Sequence, residues 1–444
     1  MAKIIPFRGI CYNPDKIHNL VDVTTPPYDV ISKQEHLDFH NRHPYNIIRL
    51  ILNKQDENDT NKNNCHTRAA SLFNDWISKN ILVRDDSPSL YFTSVEFSLK
   101  NKMITRYGLI ALVGLEPFSK GLIVPHEKTF SKVTAERFEL IKNCHANFSP
   151  IFGIYSDQNN ILNSLKTAAS AKTPDIEFID SHGLKHKLWR ITDTSVHSHI
   201  TDAMKGKKLL IADGHHRYET ALKYKNWISE IKPGFSADHP ANYVMMYLSS
   251  MEDPGLIILP AHRLLKNVQD SVLETFIQKA EKYFEIITIP FNENTRENAR
   301  EQFISALRSN SSKNTIGVFM KNRQEFYLLT LKAQIMEQMF GKEISASLRN
   351  LDVTVLTRLV LMKILGFDQS MLDDIRLITY SSCEKQAIKE VASGRCDISF
   401  ILNPTKIEQV RNIAREGLTM PRKSTYFYPK VITGQVINRL TTLD

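Results

Sequence analysis

Apolar positions recur along this chain with two different periods. Between Leu90 and Phe97, and again between Ile104 and Leu115, they form short runs joined around Lys100-Asn101-Lys102, which predicts a β-hairpin. Ala69, Leu72, Phe73, Trp76 and Ile77 instead recur at helical spacing, so a helix is expected over about residues 66–79. The apolar run Asn46–Leu52 reads as a strand, and the Asn- and Asp-rich stretch 55–64 as an exposed loop. A helix is expected from about Thr134, a suitable N-cap, with Phe138, Ile141 and Phe148 marking its buried side. Residues 149–155 return as a strand, and 175–180 with 184–191 predict a second hairpin turned by Ser181-His182-Gly183. A short helix near 196–205 then precedes a strand at 208–212, a tight turn at 213–217 and a long helix burying Tyr218, Ala221, Leu222 and Ile228. Buried strands follow at 243–248 and 256–259.

After about residue 266 the order changes to helix, strand, helix, strand, strand. The helices lie near 270–283 and 294–309, and the strands near 285–290, 314–320 and 325–331. A helix near 352–365 carries Val355, Leu359 and Met362, and the stretch 375–403 reads as a parallel βαβ unit. No internal repeat is found. The pattern predicts an α/β protein with mixed, α+β sheets, divided into residues 1–265 and 266–444. A chain of 444 residues has room for two such domains.

Composition narrows the class. A chain with 42% hydrophobic and 24% charged residues is globular. The formal charge of +9 is thin over this length; it favours anionic ligands, and without a dense Lys/Arg block it gives no case for a nucleic-acid partner. Cys11, Cys65, Cys144, Cys383 and Cys396 form no C-x-x-C pair, which argues against a disulfide framework or structural zinc and fits a reducing cytoplasm. Residues 1–8 lack the apolar core of a secretory signal, and apolar runs such as Tyr107–Leu115 are roughly half the length that spans a bilayer, so no membrane partner is expected.

The chemistry concentrates in four places. In Asp213-Gly214-His215-His216-Arg217 a buried strand passes through a glycine turn into a helix, whose first N–H groups have no partner within it and whose dipole favours an anion. Arg217 has the fork geometry to hold a phosphate with two hydrogen bonds, each worth roughly 1.5–3 kcal/mol. The alternative reading makes Asp213 an N-cap and the histidines surface groups. In Pro125-His126-Glu127-Lys128-Thr129, followed by Glu136-Arg137, a carboxylate beside a histidine suits a general base; the alternative is an exposed loop with ordinary charges. In Met420–Lys430, Lys423, Ser424 and Thr425 interleave with aromatics, suiting a nucleotide or equally a packed crossover. In Thr24–Val30, Tyr28 and Asp29 follow two prolines and either line a site or shape a rigid turn. His262-Arg263 is a weaker candidate of that kind. Adjacent His215 and His216 cannot easily face one ion and no H-E-x-x-H helix is present, so no protein-ligated metal site is expected; Mg²⁺ arriving with a nucleotide is compatible.

The segments PPYDVI at 26–31, PHEKT at 125–129, ADGHHRYETA at 212–221, LDVTVL at 351–356 and FILNPTK with MPRKSTYFYPK near the C-terminus together resemble the bacterial domain of unknown function 1015. That resemblance covers nearly the whole chain and implies no reaction. Glu127 in PHE, a helix, the strand opening Ser149-Pro150-Ile151 and then DGHHR are also similar to the ParB/sulfiredoxin-like fold, and within it to the free serine kinases. This second resemblance implies a ParB/sulfiredoxin-like N-terminal core followed by a C-terminal α/β domain. It implies Glu127, beside His126, as base towards a serine hydroxyl, and Asp213, Gly214, His215, His216 and Arg217 as the turn for the phosphates of ATP or ADP and their Mg²⁺. Thr129, Arg137, Tyr28 and Asp29 are then candidates for the substrate side. The 175–191 hairpin lies between Glu127 and the turn, and the half after 266 has no counterpart in the small kinases.

Two other classes compete. A nucleotide-binding regulatory or DNA-partition protein would need a basic helix-turn-helix, and none is evident. A sulfiredoxin-like thiol-repair enzyme would need a cysteine in the turn, where this chain has histidine.

Overall fold

The computed structural model describes residues 3–127 and 131–441. These divide into two compact units. One comprises residues 3–125, 131–257 and 429–441; the other comprises 126–127 and 258–428. The compact units differ from the expected division at 265/266 in three respects: the break comes earlier, the last residues return to the first unit, and His126 and Glu127 fall in the second. Among the described residues no helix is long and apolar enough to cross a membrane.

A nine-stranded mixed sheet forms the centre of the first unit. Its order is Ile123–Val124, Leu209–Asp213, Ile151–Tyr155, Tyr243–Ser250, Lys102–Gly114, Leu90–Leu99, Lys185–Ile191 and Ile176–Ile179, with Ile4–Ile5 also on Lys102–Gly114. Both expected hairpins are present and antiparallel. Parallel pairing appears at two places, Leu209–Asp213 with Ile123–Val124 and Tyr243–Ser250 with Ile151–Tyr155. Ile4, Phe92, Leu109, Ala111, Leu209, Ile211, Tyr218 and Met246 share one apolar core. A second core gathers Phe39, Ile48, Phe73, Trp76, Leu140 and Phe148 from the N-terminal helices and the helix Ser131–Cys144. That helix starts before Thr134, which lies buried inside it rather than capping it.

Residues 46–52 depart from the expected strand. They form a short helix, Ile48–Ile51, not a strand. Asn46 decides this: its Oδ1 accepts the Ile48 N–H at 2.9 Å and its Nδ2 donates to the Asp22 carbonyl at 2.7 Å, turning the chain where an extended run would continue.

The second unit is built on a six-stranded sheet ordered Phe284–Pro290, Glu325–Leu331, Thr315–Met320, Ile398–Ile401, His262–Leu265 and Ile378–Ser381. Every neighbouring pair is antiparallel. The strand–helix–strand over 375–403 is thus not an adjacent parallel pair, because His262–Leu265 sits between its two strands. Phe303 and Phe326 stack at 4.9 Å in a core with Leu264, Phe319 and Ile388. The expected helix near 352–365 begins as an α-turn at Asp352–Thr354 and continues as a π-helix over Val355–Ile364.

Candidate functional site

The strand Leu209–Asp213 runs buried and antiparallel to Ile151–Tyr155 until its register slips between Ile211 and Asp213. Such a bulge re-aims the side chain that comes after it, and that side chain is Asp213. Gly214 comes next with φ of +92°, a conformation that disfavours any residue bearing a Cβ. The helix His215–Ile231 starts immediately. Gly214, not Asp213, occupies the N-cap position, and it makes no side-chain cap, so the expected alternative of Asp213 as N-cap does not describe the turn.

Asp213 is instead clamped between two cations. Its Oδ2 accepts from Arg217 Nη2 at 2.7 Å and its Oδ1 from Lys430 Nζ at 2.6 Å, with all three side chains largely buried. Burial alone would raise the carboxyl; Lys430 and Arg217 override it and hold Asp213 well below the ordinary carboxylate range, with His215 adding to the pull. Arg217 also donates through Nη1 to the Pro150 carbonyl. The fork expected to hold a phosphate is thus partly committed to the protein, while among the described residues the buried Nε–H has no acceptor. His215 is buried, and His216 succeeds it in the first turn. Two positive charges on one negative, at the start of a helix, leave the turn electropositive.

Arg217 also lines a cavity of about 60 Å³ together with Tyr28, Arg137, Ser149 and Thr220. The structure therefore brings two of the proposed substrate-side residues, Tyr28 and Arg137, to the turn. Arg137 stacks on the Tyr28 ring at 4.2 Å and donates to the Ile51 carbonyl at 2.7 Å. Burial, and then Asp29, push the Tyr28 hydroxyl up to about 12 against the pull of Arg137 and Arg217. Asp29 itself is exposed. Thr129 lies outside the described residues.

The PHE segment is gripped by the motif near the C-terminus, within the second unit. His126 is buried, its Nε2 3.0 Å from Thr425 Oγ1, and its carbonyl accepts the Met420 N–H at 2.8 Å. Glu127 Oε1 accepts the Ser424 N–H at 3.2 Å and lies 3.8 Å from His126 Nε2. Ser424 Oγ is turned to the Pro421 carbonyl, and Thr405 Oγ1 donates to the Ser424 carbonyl at 2.8 Å. Ser424 and Thr425 are thus buried and occupied by protein partners, while Lys423 is exposed. The weaker pair His262-Arg263 belongs here too. Arg263 is buried, donates to the Arg422 carbonyl at 3.0 Å and stacks on Tyr380 at 5.1 Å. Burial lowers its guanidinium against the pull of Tyr380 and Glu127.

Lys430 was not among the expected site residues, although it closes the MPRKSTYFYPK segment. Its signal was its place in that motif; what no spacing could supply was a chain reversal returning it to Asp213. Among the described residues no group of three or more His, Cys, Asp or Glu could hold a metal ion.

A family model described as "Protein of unknown function (DUF1015)" matches residues 4–354, well over half of the chain. The chain belongs to this family. No curated protein matches the sequence of this DUF1015 member. Among solved structures, a conserved hypothetical protein from Pyrococcus furiosus is 13% identical over 72% of this chain and 92% of its own, with a TM-score of 0.35. A free serine kinase in complex with AMP is 13% identical over 71% and 88%, with a TM-score of 0.34. SbnI with C-terminal truncation, from Staphylococcus aureus, is 10% identical over 74% and 86%, also at 0.34.

Proposed function

We propose that this protein is a nucleotide-dependent phosphotransferase that phosphorylates an amino-acid hydroxyl, converting free L-serine to O-phosphoserine in a reversible step. The observation that carries the reading is the Asp213–Arg217–Lys430 cluster at the start of the helix His215–Ile231. An electropositive turn with a glycine at its apex and an unpartnered, buried Arg217 Nε–H suits an anionic oxygen. Gly214, His215, His216, Arg217 and Lys430 would hold the phosphates of ATP or ADP. The nucleotide would supply the phosphoryl group, and Mg²⁺ arriving with it would offset its charge.

The base is assigned to Glu127. Its Oε1 is steadied by the Ser424 N–H and it stands beside buried His126, the arrangement that orients a carboxylate to take the hydroxyl proton. His126 positions the segment through Thr425 and Met420. Arg137 and Tyr28 line the substrate side. The ParB/sulfiredoxin-like core and a cytoplasmic location belong to the same reading.

The test incubates the full chain with Mg²⁺, L-serine and either ATP or ADP and monitors phosphoserine by phosphorus NMR. Formation that disappears in Glu127→Gln and in His216→Ala supports the reading. Nucleotide binding without turnover on any hydroxyl amino acid overturns the kinase assignment. If salt-sensitive retention on DNA accompanies that result, a nucleotide-binding regulatory or partition protein replaces it.

A further inference from the structure

The second unit contains a cavity of about 370 Å³ lined almost wholly by polar side chains, at Ser312, Asn314, Asp352, Asn403, Lys406 and Gln409. Its size falls within the roughly 300–1,000 Å³ of small-ligand sites. It draws on two of the motifs that the phosphate turn does not use, LDVTVL and FILNPTK.

Its wall is braced by its own hydrogen bonds. Asn314 Nδ2 donates to the Asn350 carbonyl at 3.0 Å and to Asp352 Oδ1 at 2.8 Å, which spends both amide hydrogens. Asn403 Nδ2 donates to the Leu307 carbonyl at 3.2 Å. Gln409 Oε1 accepts the Lys406 N–H at 2.9 Å, and its Nε2 donates to the Asn350 carbonyl at 3.3 Å. Groups held this way are pre-organised, so a ligand need not order them.

Two opposite charges remain at this wall. Among the described residues neither Asp352 nor Lys406 forms an ion pair. Burial pushes the Asp352 carboxyl up to about 6, against the pull of Asn314 and Lys406. Asp352 accepts from the neutral Asn314 amide, and a partly buried carboxylate held that way gains from a cationic donor as well. A sugar would hydrogen-bond to the lining but give neither the partly buried Asp352 nor the exposed Lys406 an opposite charge. A simple anion would pair with Lys406 and be repelled by Asp352. A zwitterion answers both, and the remaining amide and hydroxyl groups suit a polar side chain.

We infer that this cavity is a second small-molecule site, separate from the phosphate turn, and that it binds a free polar α-amino acid. Asp352 receives the α-ammonium and Lys406 receives the α-carboxylate.

The test is titration calorimetry of the full chain, without nucleotide, against the common α-amino acids, the corresponding amines and hydroxy acids, and a set of polyols. At least one amino acid binds. Asp352→Asn and Lys406→Met each weaken it at least tenfold, and the amine and hydroxy-acid analogues bind at least tenfold more weakly than the parent. Ser312→Trp, which fills an exposed part of the lining, blocks binding while the melting temperature stays unchanged, so loss of the site is told apart from loss of the fold. Glu127→Gln retains binding, which separates this site from the proposed catalytic one. Binding that survives all three cavity substitutions, binding of polyols only, or no amino-acid binding at all overturns the inference.

Discussion

At Asp213, burial and charge act in opposite directions. Its folded carboxyl is depressed, so its contribution to stability is present above the unfolded carboxylate value of about 3.9 and is lost only as pH falls through the lower folded value. Lys430→Met removes one of the two cations and raises that folded value. Loss of roughly 1–3 kcal/mol is expected at pH 7, with the acid-unfolding midpoint moved to higher pH. Circular dichroism melts across pH 2–8 check it; an unchanged acid midpoint would mean that Lys430 does not hold Asp213. Asp352 runs the other way. Its folded value of about 6 exceeds the unfolded one, so its contribution is fully present below about pH 4 and is lost as pH rises through 6. Asp352→Asn is therefore expected to stabilise the protein relative to the parent at pH 7, on the order of 2–3 kcal/mol, and hardly at all at pH 4. Melting temperatures of the pair at both pH values measure the difference.

At the scale of elements, the turn depends on a strand bulge, one glycine and a helix start in immediate succession. A Cβ on Gly214 would lie 2.8 Å from Arg217 Nε, in a backbone conformation already unfavourable for it. Gly214→Ala is expected to cost about 1–3 kcal/mol and to displace the guanidinium from Asp213. Thermal melts and ADP titration should show both losses; full ADP affinity would disconnect the glycine from the proposed phosphate site. This element was legible from residues alone, because an apolar run, a glycine and a helical repeat are all local. Asn46–Leu52 was not. Its apolar residues suit a buried strand or a buried helical turn equally, and the choice fell to Asn46 bonding to Asp22, a partner distant in sequence. The π-helix at Val355–Ile364 was equally hidden, since its apolar spacing differs little from that of an α-helix.

For the whole molecule, the last residues tie the first unit together. Asn438–Arg439 pairs with Ala146–Asn147, the Pro429 carbonyl accepts from buried Arg106 at 2.5 Å, and Ile432, Val436, Ile437 and Leu440 are buried. Each such aliphatic side chain contributes roughly 1.5–3 kcal/mol on burial. A chain ending at Tyr428 is therefore expected to lose cooperative unfolding of the first unit together with Lys430. Near-ultraviolet circular dichroism and limited proteolysis would reveal it, and a cooperative melt at the parent temperature would contradict it.

The residues by themselves determined the α/β class, both hairpins of the first unit, the strand–turn–helix at Asp213 and the membership signalled by the long motifs. Each of these depends on periodicity or on contiguous residues. The tertiary structure alone decided that Lys430 completes the turn, that Ser424 and Thr425 hold the PHE segment instead of offering free hydroxyls, and that Tyr28 and Arg137 share a cavity with Arg217. It also decided that His262–Leu265 splits the last βαβ unit. All of these join residues far apart in the chain. A side chain's local spacing sets which element it sits on, but only chain reversal and burial set which distant charge or carbonyl it must answer.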